Sequence, residues 1–336
     1  LHNLEFEHRL AAPEEQEILS QYVGWGGLAD AFDETKENWS EEFKELYATL
    51  SPDEYEQARA STLTAHFTPP VVIKAMYKAL SNMGFTQGNI LEASCGIGNF
   101  MGLMPEGMSE SKMYGVEIDS ITGRIAQQLY QKNSVAIQGY ENSELPDSFF
   151  DVAIGNVPFG DFKLLDRKYN KHNFLIHDYF FAKTLDKVRP GGVIAFITSS
   201  GTMDKRNSKV RRYIAQRADL IGAIRLPNNT FKKNAGTEVT ADILFLQKRE
   251  RMTDIMPDWV NVGQHETGQP VNQYFLDNPD MVMGELKEVS GPFGPTLTCE
   301  PNEDISLAQQ LAGAIQNIHA QITEYEFDDI SNDEEV

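Results

Sequence analysis

Residues 90–100, Ile90-Leu91-Glu92-Ala93-Ser94-Cys95-Gly96-Ile97-Gly98-Asn99-Phe100, constrain the fold of this chain more than any other stretch. An apolar pair runs into a glycine turn, which reads as the end of a buried strand. Gly96 and Gly98 permit positive φ and let a ligand lie against bare backbone. Downstream, Tyr114-Gly115-Val116-Glu117-Ile118-Asp119 reads as a second short strand ending in carboxylates. A glycine turn after a first strand, with an acid closing a second, is how a doubly wound α/β sheet holds an adenosine group. Phe100 and Met101 stand where a third glycine would complete G-x-G-x-x-G. The departure argues against a dinucleotide and leaves another adenosyl ligand. Taken alone, the turn is equally compatible with a plain strand–turn.

The pattern around it extends the α/β reading. Short apolar runs predict strands at 90–93, 113–117, 134–138, 151–155, 193–198, 221–225 and 241–247. Helices fit between them, among them 122–132, 177–187 and 206–217, with Pro190-Gly191-Gly192 as a tight turn before the fifth strand. Seven strands alternating with helices predict a mostly parallel sheet covered on both faces. Residues 1–66 read as a helical extension. Glu14 to Tyr22 is a short amphipathic run ended by Gly24-Trp25-Gly26-Gly27, with Trp25 expected to plug that loop onto a neighbouring domain. Ser51-Pro52-Asp53-Glu54 has the order of a capping box. Thr68 is placed to cap the helix from Val71 to Leu80, turning its free N–H groups to a ligand. The α/β domain is expected over 67–250. After Arg251 the chain reads as loop-rich, with one helix at Ser306–Ile322 and an acidic, disordered tail from Glu324.

Charge and composition bound the partners. No apolar run is long enough for a membrane span. Two cysteines, Cys95 and Cys299, argue against a disulfide framework and for a reducing, cytoplasmic setting, and no Cys/His cluster has metal-ligand spacing. The first residues are polar, unlike a signal peptide, and a chain opening on Leu1 reads as an excised piece of a longer protein. Net charge is −21, but it is unevenly placed: residues 1–159 are net −15, 160–251 net +10 and 252–336 net −16. The basic segment is a candidate phosphate-binding face, although composition alone favours a solvated helix face. Within it Lys205, Arg206, Lys209, Arg211 and Arg212 gather at the start of one predicted helix, beside a strand's carboxyl end. They are the expected DNA contacts.

Phe150-Asp151-Val152-Ala153-Ile154 reads as a buried strand ending in Gly155-Asn156-Val157-Pro158-Phe159-Gly160. In an open sheet such a strand end borders the ligand site. The Asn156 amide oxygen and the Val157 carbonyl are two acceptors for an exocyclic NH2. Pro158 stiffens the turn, and Phe159 offers a ring face to a planar base. In isolation the same residues make an ordinary β-turn.

The order of elements from Phe67 to Arg249 resembles S-adenosylmethionine-dependent amino-methyltransferases. It looks most like the DNA adenine-N6 methyltransferases of the gamma arrangement. Phe67-Thr68-Pro69 resembles the motif that this arrangement places first. Glu92 to Gly98 resembles the glycine motif, and Glu117 and Asp119 match the acidic one. Gly139-Tyr140-Glu141 sits where the family places an acid beside the adenine, and Asn156-Val157-Pro158-Phe159 resembles the catalytic Asn-Pro-Pro-Phe/Tyr. Arg225-Leu226-Pro227, Phe231 and Thr237 to Leu246 resemble a late motif of type I modification subunits. The flanks look like the methylase portion of large methylase–helicase proteins of phages and conjugative elements.

The resemblance implies a Rossmann-like fold with S-adenosylmethionine as cofactor. It places cofactor contacts at Phe67, Thr68, Pro69, Glu92, Ser94, Cys95, Gly96, Gly98, Asn99, Phe100, Glu117, Ile118, Asp119, Tyr140, Glu141 and Asn156, with Glu117 on the ribose. It makes Asn156, Val157, Pro158 and Phe159 catalytic. It also implies a DNA partner whose target adenine is flipped out of the duplex, and a helicase region or target-recognition subunit outside this sequence. Val157 and Ala93 depart from the family's usual prolines, and only the Val157 carbonyl is needed. The same constellation would serve an RNA or protein-glutamine methyltransferase, or an inactive nucleic-acid-binding module of the same fold.

Overall fold

The computed structural model describes residues 1–62, 67–231, 240–291 and 294–324. Seven strands form the central sheet: β1 (Asn89–Glu92), β2 (Lys112–Glu117), β3 (Ser134–Ile137), β4 (Phe150–Asn156), β5 (Val188–Ser199), β6 (Ala218–Arg225) and β7 (Ala241–Lys248). Their order is β3-β2-β1-β4-β5-β7-β6, and only β7 runs antiparallel to its neighbours. The chain direction therefore switches between β1 and β4, and the crevice over their carboxyl ends is where an open sheet of this kind takes a ligand. The inner strands are buried on both faces: Val152, Ala153 and Ile154 in β4, and Val193 to Ile197 in β5, are fully covered. That burial explains why they read as unbroken apolar runs rather than alternating ones.

The helices that flank the sheet or precede it are α1 (His2–Phe6), α2 (Pro13–Leu19), α3 (Ser40–Thr49), α4 (Pro52–Ser61), α5 (Pro70–Asn82), α6 (Asn99–Gly102), α7 (Ser120–Leu129), α8 (Ile176–Lys187), α9 (Gly201–Asp204) and α10 (Lys209–Arg217). The capping box at α4 forms as the sequence predicts. Ser51 Oγ accepts from Glu54 N at 3.3 Å, and the Glu54 carboxylate accepts from Ser51 N at 2.8 Å. Thr68 does not cap α5. Pro69 occupies the N-cap position without a side-chain bond, and the Thr68 hydroxyl turns into the sheet crevice instead. β5 begins at Val188, so Pro190-Gly191-Gly192 lies within the strand. There the register with β4 jumps from Phe150–Val188 to Val152–Val193, and Gly191 takes φ +78° to make the bulge.

The N-terminal extension has a small core of its own, Ala31, Phe32, Tyr55 and Ala58, with Trp25 packed against it. Trp25 meets Tyr22 and Phe32 edge-on at 5.6 and 5.5 Å, so it plugs its loop into the extension's own core and not, as expected, onto a neighbouring domain. The extension lies along α7. Gln16 Nε2 donates to Gln128 O at 2.8 Å, and Arg124 pairs with Glu5 and Glu54.

Residues 252–300, read from sequence as loop-rich, hold most of an antiparallel hairpin. Its strands Gly284–Gly291 and Gly294–Pro301 pair along their whole length. A helix at Leu307–Ala314 follows, and the chain then returns to the sheet's lower edge, where Ile322 N donates to Met83 O at 2.8 Å. The expected disordered tail beyond Glu324 and Thr237 to Val239 of the late motif fall outside the described residues. Among the described residues no helix is long and apolar enough to cross a membrane.

Candidate active site

A cavity of about 370 Å³ opens over the carboxyl ends of β1, β2 and β4. β1 delivers Glu92 and the turn 93–97, β2 delivers Glu117, Ile118 and Asp119, and β4 delivers Asn156, Val157 and Pro158. Sequence-distant residues thus converge because parallel strands all end on one side of the sheet.

The glycine turn is built for a ligand's approach at one of its two glycines. At Gly96, φ is +55° and an added Cβ would meet nothing within 4 Å. Gly98 has a different task. It takes φ +87° as the N-cap of α6, and an added Cβ would sit 2.6 Å from the Tyr130 ring. Gly98 does not line the cavity, and its lack of a side chain makes room for the Tyr130 ring.

Three carboxylates face this turn. Glu117 Oε2 accepts from Gly96 N and Oε1 from Asp119 N, both at 2.8 Å. Burial pushes the Glu117 carboxyl up to about 7, against the pull of those two N–H groups. Glu92 is 2% exposed, and burial, then the neighbouring Glu117 charge, holds it far above the carboxylate range. Its Oε2 has no hydrogen-bond partner. Asp119 caps α7 by accepting from Thr122 N at 2.7 Å, which leaves its Oδ2 buried and unpartnered. Buried acceptors left open cost a fold about 1–3 kcal/mol each unless a ligand completes them. This donor-hungry cluster fits the ribose hydroxyls and the cationic end of an adenosyl amino acid.

On the β4 side, Asn156 Nδ2 donates to Thr68 Oγ1 at 3.2 Å, which fixes the amide. The opposite atom, Oδ1, is buried and unpartnered. Val157 is held by donation from its N–H to Ile197 O at 3.1 Å. Both residues of the acceptor pair are thereby anchored to neighbouring elements.

Of the other expected site residues, Phe67, Ser94, Cys95, Asn99, Phe100, Ile118, Tyr140, Glu141 and Pro158 line the cavity, while Pro69 and Phe159 do not. Phe159 is half-buried. The exposed aromatic ring in the cavity wall is Phe162, at 46%, three positions on. Tyr140 contributes little ring surface. Its hydroxyl pairs with Thr184 Oγ1 at 3.0 Å, and Lys183 Nζ donates to its carbonyl at 2.7 Å. The N-terminal extension adds Gly24, from the glycine loop singled out in the sequence, to the wall. It also adds Val23, Gln57, Ala60 and Ser61, which sequence reasoning missed and which no local pattern marks.

The basic cluster divides. Lys205, Arg206, Lys209 and Arg212 are exposed beyond the end of β5. Arg211 is not: it is 1% exposed, and its guanidinium donates to the carbonyls of Val260 and Thr202 at 2.8 and 3.2 Å. Its expected contact with DNA is corrected to an internal one. Lys183, Lys187, Arg189 and Arg225 are likewise buried. Arg225 is clamped by Asp242 at 2.8 and 2.9 Å and by Asp204 at 2.8 Å. Part of the segment's +10 charge is therefore spent inside. Among the described residues no cluster of three His, Cys, Asp or Glu side chains could hold a metal ion.

The family model described as N-6 DNA Methylase matches residues 42–272. The chain is 29% identical over 241 residues to "Defense against restriction protein B" of Escherichia phage P1, covering 70% of this chain and 9% of the phage protein's length. It is 25% identical over 177 residues to the "rRNA N(6)-adenosine-methyltransferase metl-5" of Caenorhabditis elegans, covering 49% of this chain and 78% of the relative. A modification subunit of a putative type I restriction enzyme from Vibrio vulnificus YJ016 superimposes with a TM-score of 0.47 at 16% identity, over 70% of this chain and 63% of that one.

Proposed function

The chain belongs to the N-6 DNA methylase family, and on that premise we infer that it is a DNA methyltransferase acting on N6 of a flipped-out adenine, with S-adenosylmethionine as methyl donor. One observation carries the reading. Asn156 Oδ1 is buried, unpartnered and fixed by Thr68, on the same cavity as the open carboxylates.

When bound, the cofactor supplies an electrophilic methyl on a positively charged sulfur. Gly96 leaves the space for it, Glu117 and Asp119 are the acceptors for its ribose, and Glu92 faces its cationic end. Asn156 Oδ1 and the Val157 carbonyl accept from the target amino group. Those two bonds favour a tetrahedral nitrogen whose lone pair points at the methyl. Pro158 and Phe162 wall the base. Catalysis on this reading is positioning plus preorganised dipoles, with no dedicated side-chain base. The exposed Lys205, Arg206, Lys209 and Arg212 would take duplex phosphates. The chain spans only 9% of the phage relative's length, so target choice is assigned to a further region or subunit, working with it in the cytoplasm.

RNA is the second reading, favoured by the likeness to the nematode rRNA methyltransferase. Incubation with labelled S-adenosylmethionine and duplex DNA, structured RNA or protein separates them. Label in DNA as N6-methyladenine is the expected result; label in RNA or glutamine alone replaces the substrate. Asn156→Ala should lower turnover by about 10²–10³ and leave cofactor affinity nearly unchanged. Wild-type turnover in that variant would reduce the 155–160 turn to scaffolding.

A further inference from the structure

Val23 is an apolar side chain left 67% exposed between two firmly held neighbours. On one side the Tyr22 hydroxyl lies 3.0 Å from Thr122 Oγ1, at the first turn of α7. On the other, Trp25 is packed into the small core of the extension. Gly24 between them takes φ +86°. A turn pinned at both ends cannot swing, and this one sets Val23 on the cavity rim. Helix α4 reinforces the same rim, since Gln57 Oε1 accepts from Ser120 N at 2.9 Å while Gln57, Ala60 and Ser61 all line the cavity.

A second branched aliphatic stands on that cavity in the same state. Ile118 is 62% exposed, directly between Glu117 and Asp119. Nothing in the fold covers either side chain, although burying both would stabilise it. An aromatic ring that the sequence placed beside the adenine is committed elsewhere. Tyr140 is 2% exposed and its ring lies 4.8 Å from Phe180, so it gives no open face to a base.

We propose that Val23 and Ile118 are the two jaws that grip the adenine ring of the cofactor, so that the N-terminal extension is part of the cofactor site. The proposal rests on the S-adenosylmethionine reading and adds to it a contact from outside the α/β domain. A flat, apolar-faced base between two aliphatic side chains removes both from water. The Tyr22–Thr122 and Gln57–Ser120 bonds tie the upper jaw to the helix that follows the lower one, and so fix the gap between them.

Calorimetry on the full chain tests this with S-adenosylhomocysteine and with 5′-methylthioadenosine, which has the adenosine and sulfur but no amino acid. Val23→Ala removes two methyl groups and should weaken both ligands about three- to tenfold. Val23→Asp should weaken both further, and Ile118→Ala should match Val23→Ala. Melting temperatures should stay at the wild-type value, because both side chains are exposed in the free protein. Unchanged affinity in both Val23 variants, while wild type binds, overturns the clamp. Weakened S-adenosylhomocysteine with unchanged 5′-methylthioadenosine overturns the adenine assignment and moves Val23 to the amino-acid end. Failure of wild type to bind either ligand overturns the cofactor reading itself, a separate result.

Discussion

The two halves of the cavity are built on opposite principles. On the β1–β2 side, Glu92, Glu117 and Asp119 are 2%, 8% and 3% exposed, and the turn between them presents bare backbone at Gly96. On the β4–β5 side, Pro158 is half-buried and Phe162 is 46% exposed, and outside the cavity, past the end of β5, four cations stand exposed. The first half has already desolvated its polar groups when the chain folds; the second desolvates only when a partner arrives. A small ligand cannot bring enough surface to dehydrate carboxylates by itself, so the fold does it. A nucleic acid brings its own large, charged surface, and a half that receives it gains by staying open and basic.

The largest effect expected from this contrast is on the open half. Reversing Lys205, Arg206 and Lys209 to Glu removes three exposed cations beside the end of β5. Each phosphate contact contributes a slope of about −0.9 in log affinity against log salt on duplex DNA. The triple variant should bind DNA far more weakly and lose about 2 to 3 units of that slope, with cofactor affinity unaltered. Equal affinity and slope in a titration from low to high salt would move the DNA face off this edge.

The contrast also shows what was legible beforehand. All seven strands of the sheet could be read, the inner ones because strands buried on both faces are apolar runs with turns at their ends. The convergence of Glu92, Glu117 and Asn156 followed from topology, since parallel strands end together. What escaped lies in contacts with no sequence period. Arg211 looks like a solvent cation until its guanidinium meets Val260 O. Val23 reaches the site only through Tyr22 and Thr122, a hundred positions apart. The hairpin 284–301 exposes Glu285, Lys287, Glu288 and Thr296 but turns Leu286, Leu297 and Cys299 onto the core, and with so few apolar residues its alternation was too short to read as a strand pair.

A smaller effect separates the two glycines of the turn. Gly98→Ala puts a Cβ 2.6 Å from the Tyr130 ring at φ +87°. It should cost about 1–3 kcal/mol of stability, read as a fall in melting temperature, and reduce cofactor binding only through the misfolded fraction. Gly96→Ala points into open space at φ +55°, a left-handed conformation costing about 1 kcal/mol. It should melt nearly as wild type yet bind cofactor at least tenfold more weakly, because the space it fills belongs to the ligand. Melting curves and calorimetry on both variants decide this. A Gly98→Ala protein of normal stability but lost affinity would return Gly98 to the ligand surface.

The smallest effect tests whether the closed half is as dehydrated as its geometry implies. Glu117 is pushed from the ordinary 4.5 up to about 7, first by burial. Between those two values the folded chain holds a proton that the unfolded chain has released. Folding then takes up protons, so this group's contribution makes stability fall as pH rises through that window. Glu54 has the opposite sign. Ser51 N–H and the Arg124 guanidinium outweigh burial and hold it at about 2, so its contribution is present above 4.5 and lost as pH falls toward 2. Glu117→Gln removes the charge but keeps one carbonyl acceptor for the two N–H donors of Gly96 and Asp119. The free variant should gain on the order of 1 kcal/mol over wild type at pH 8, and gain nothing or lose slightly at pH 5, where Glu117 is already protonated. Its cofactor affinity should fall at both. Thermal melts of the two cofactor-free proteins at these pH values read the crossover directly. A variant less stable than wild type by the same margin at pH 5 and pH 8 would mean that Glu117 stays ionised, and that water reaches the half of the cavity which the fold has closed.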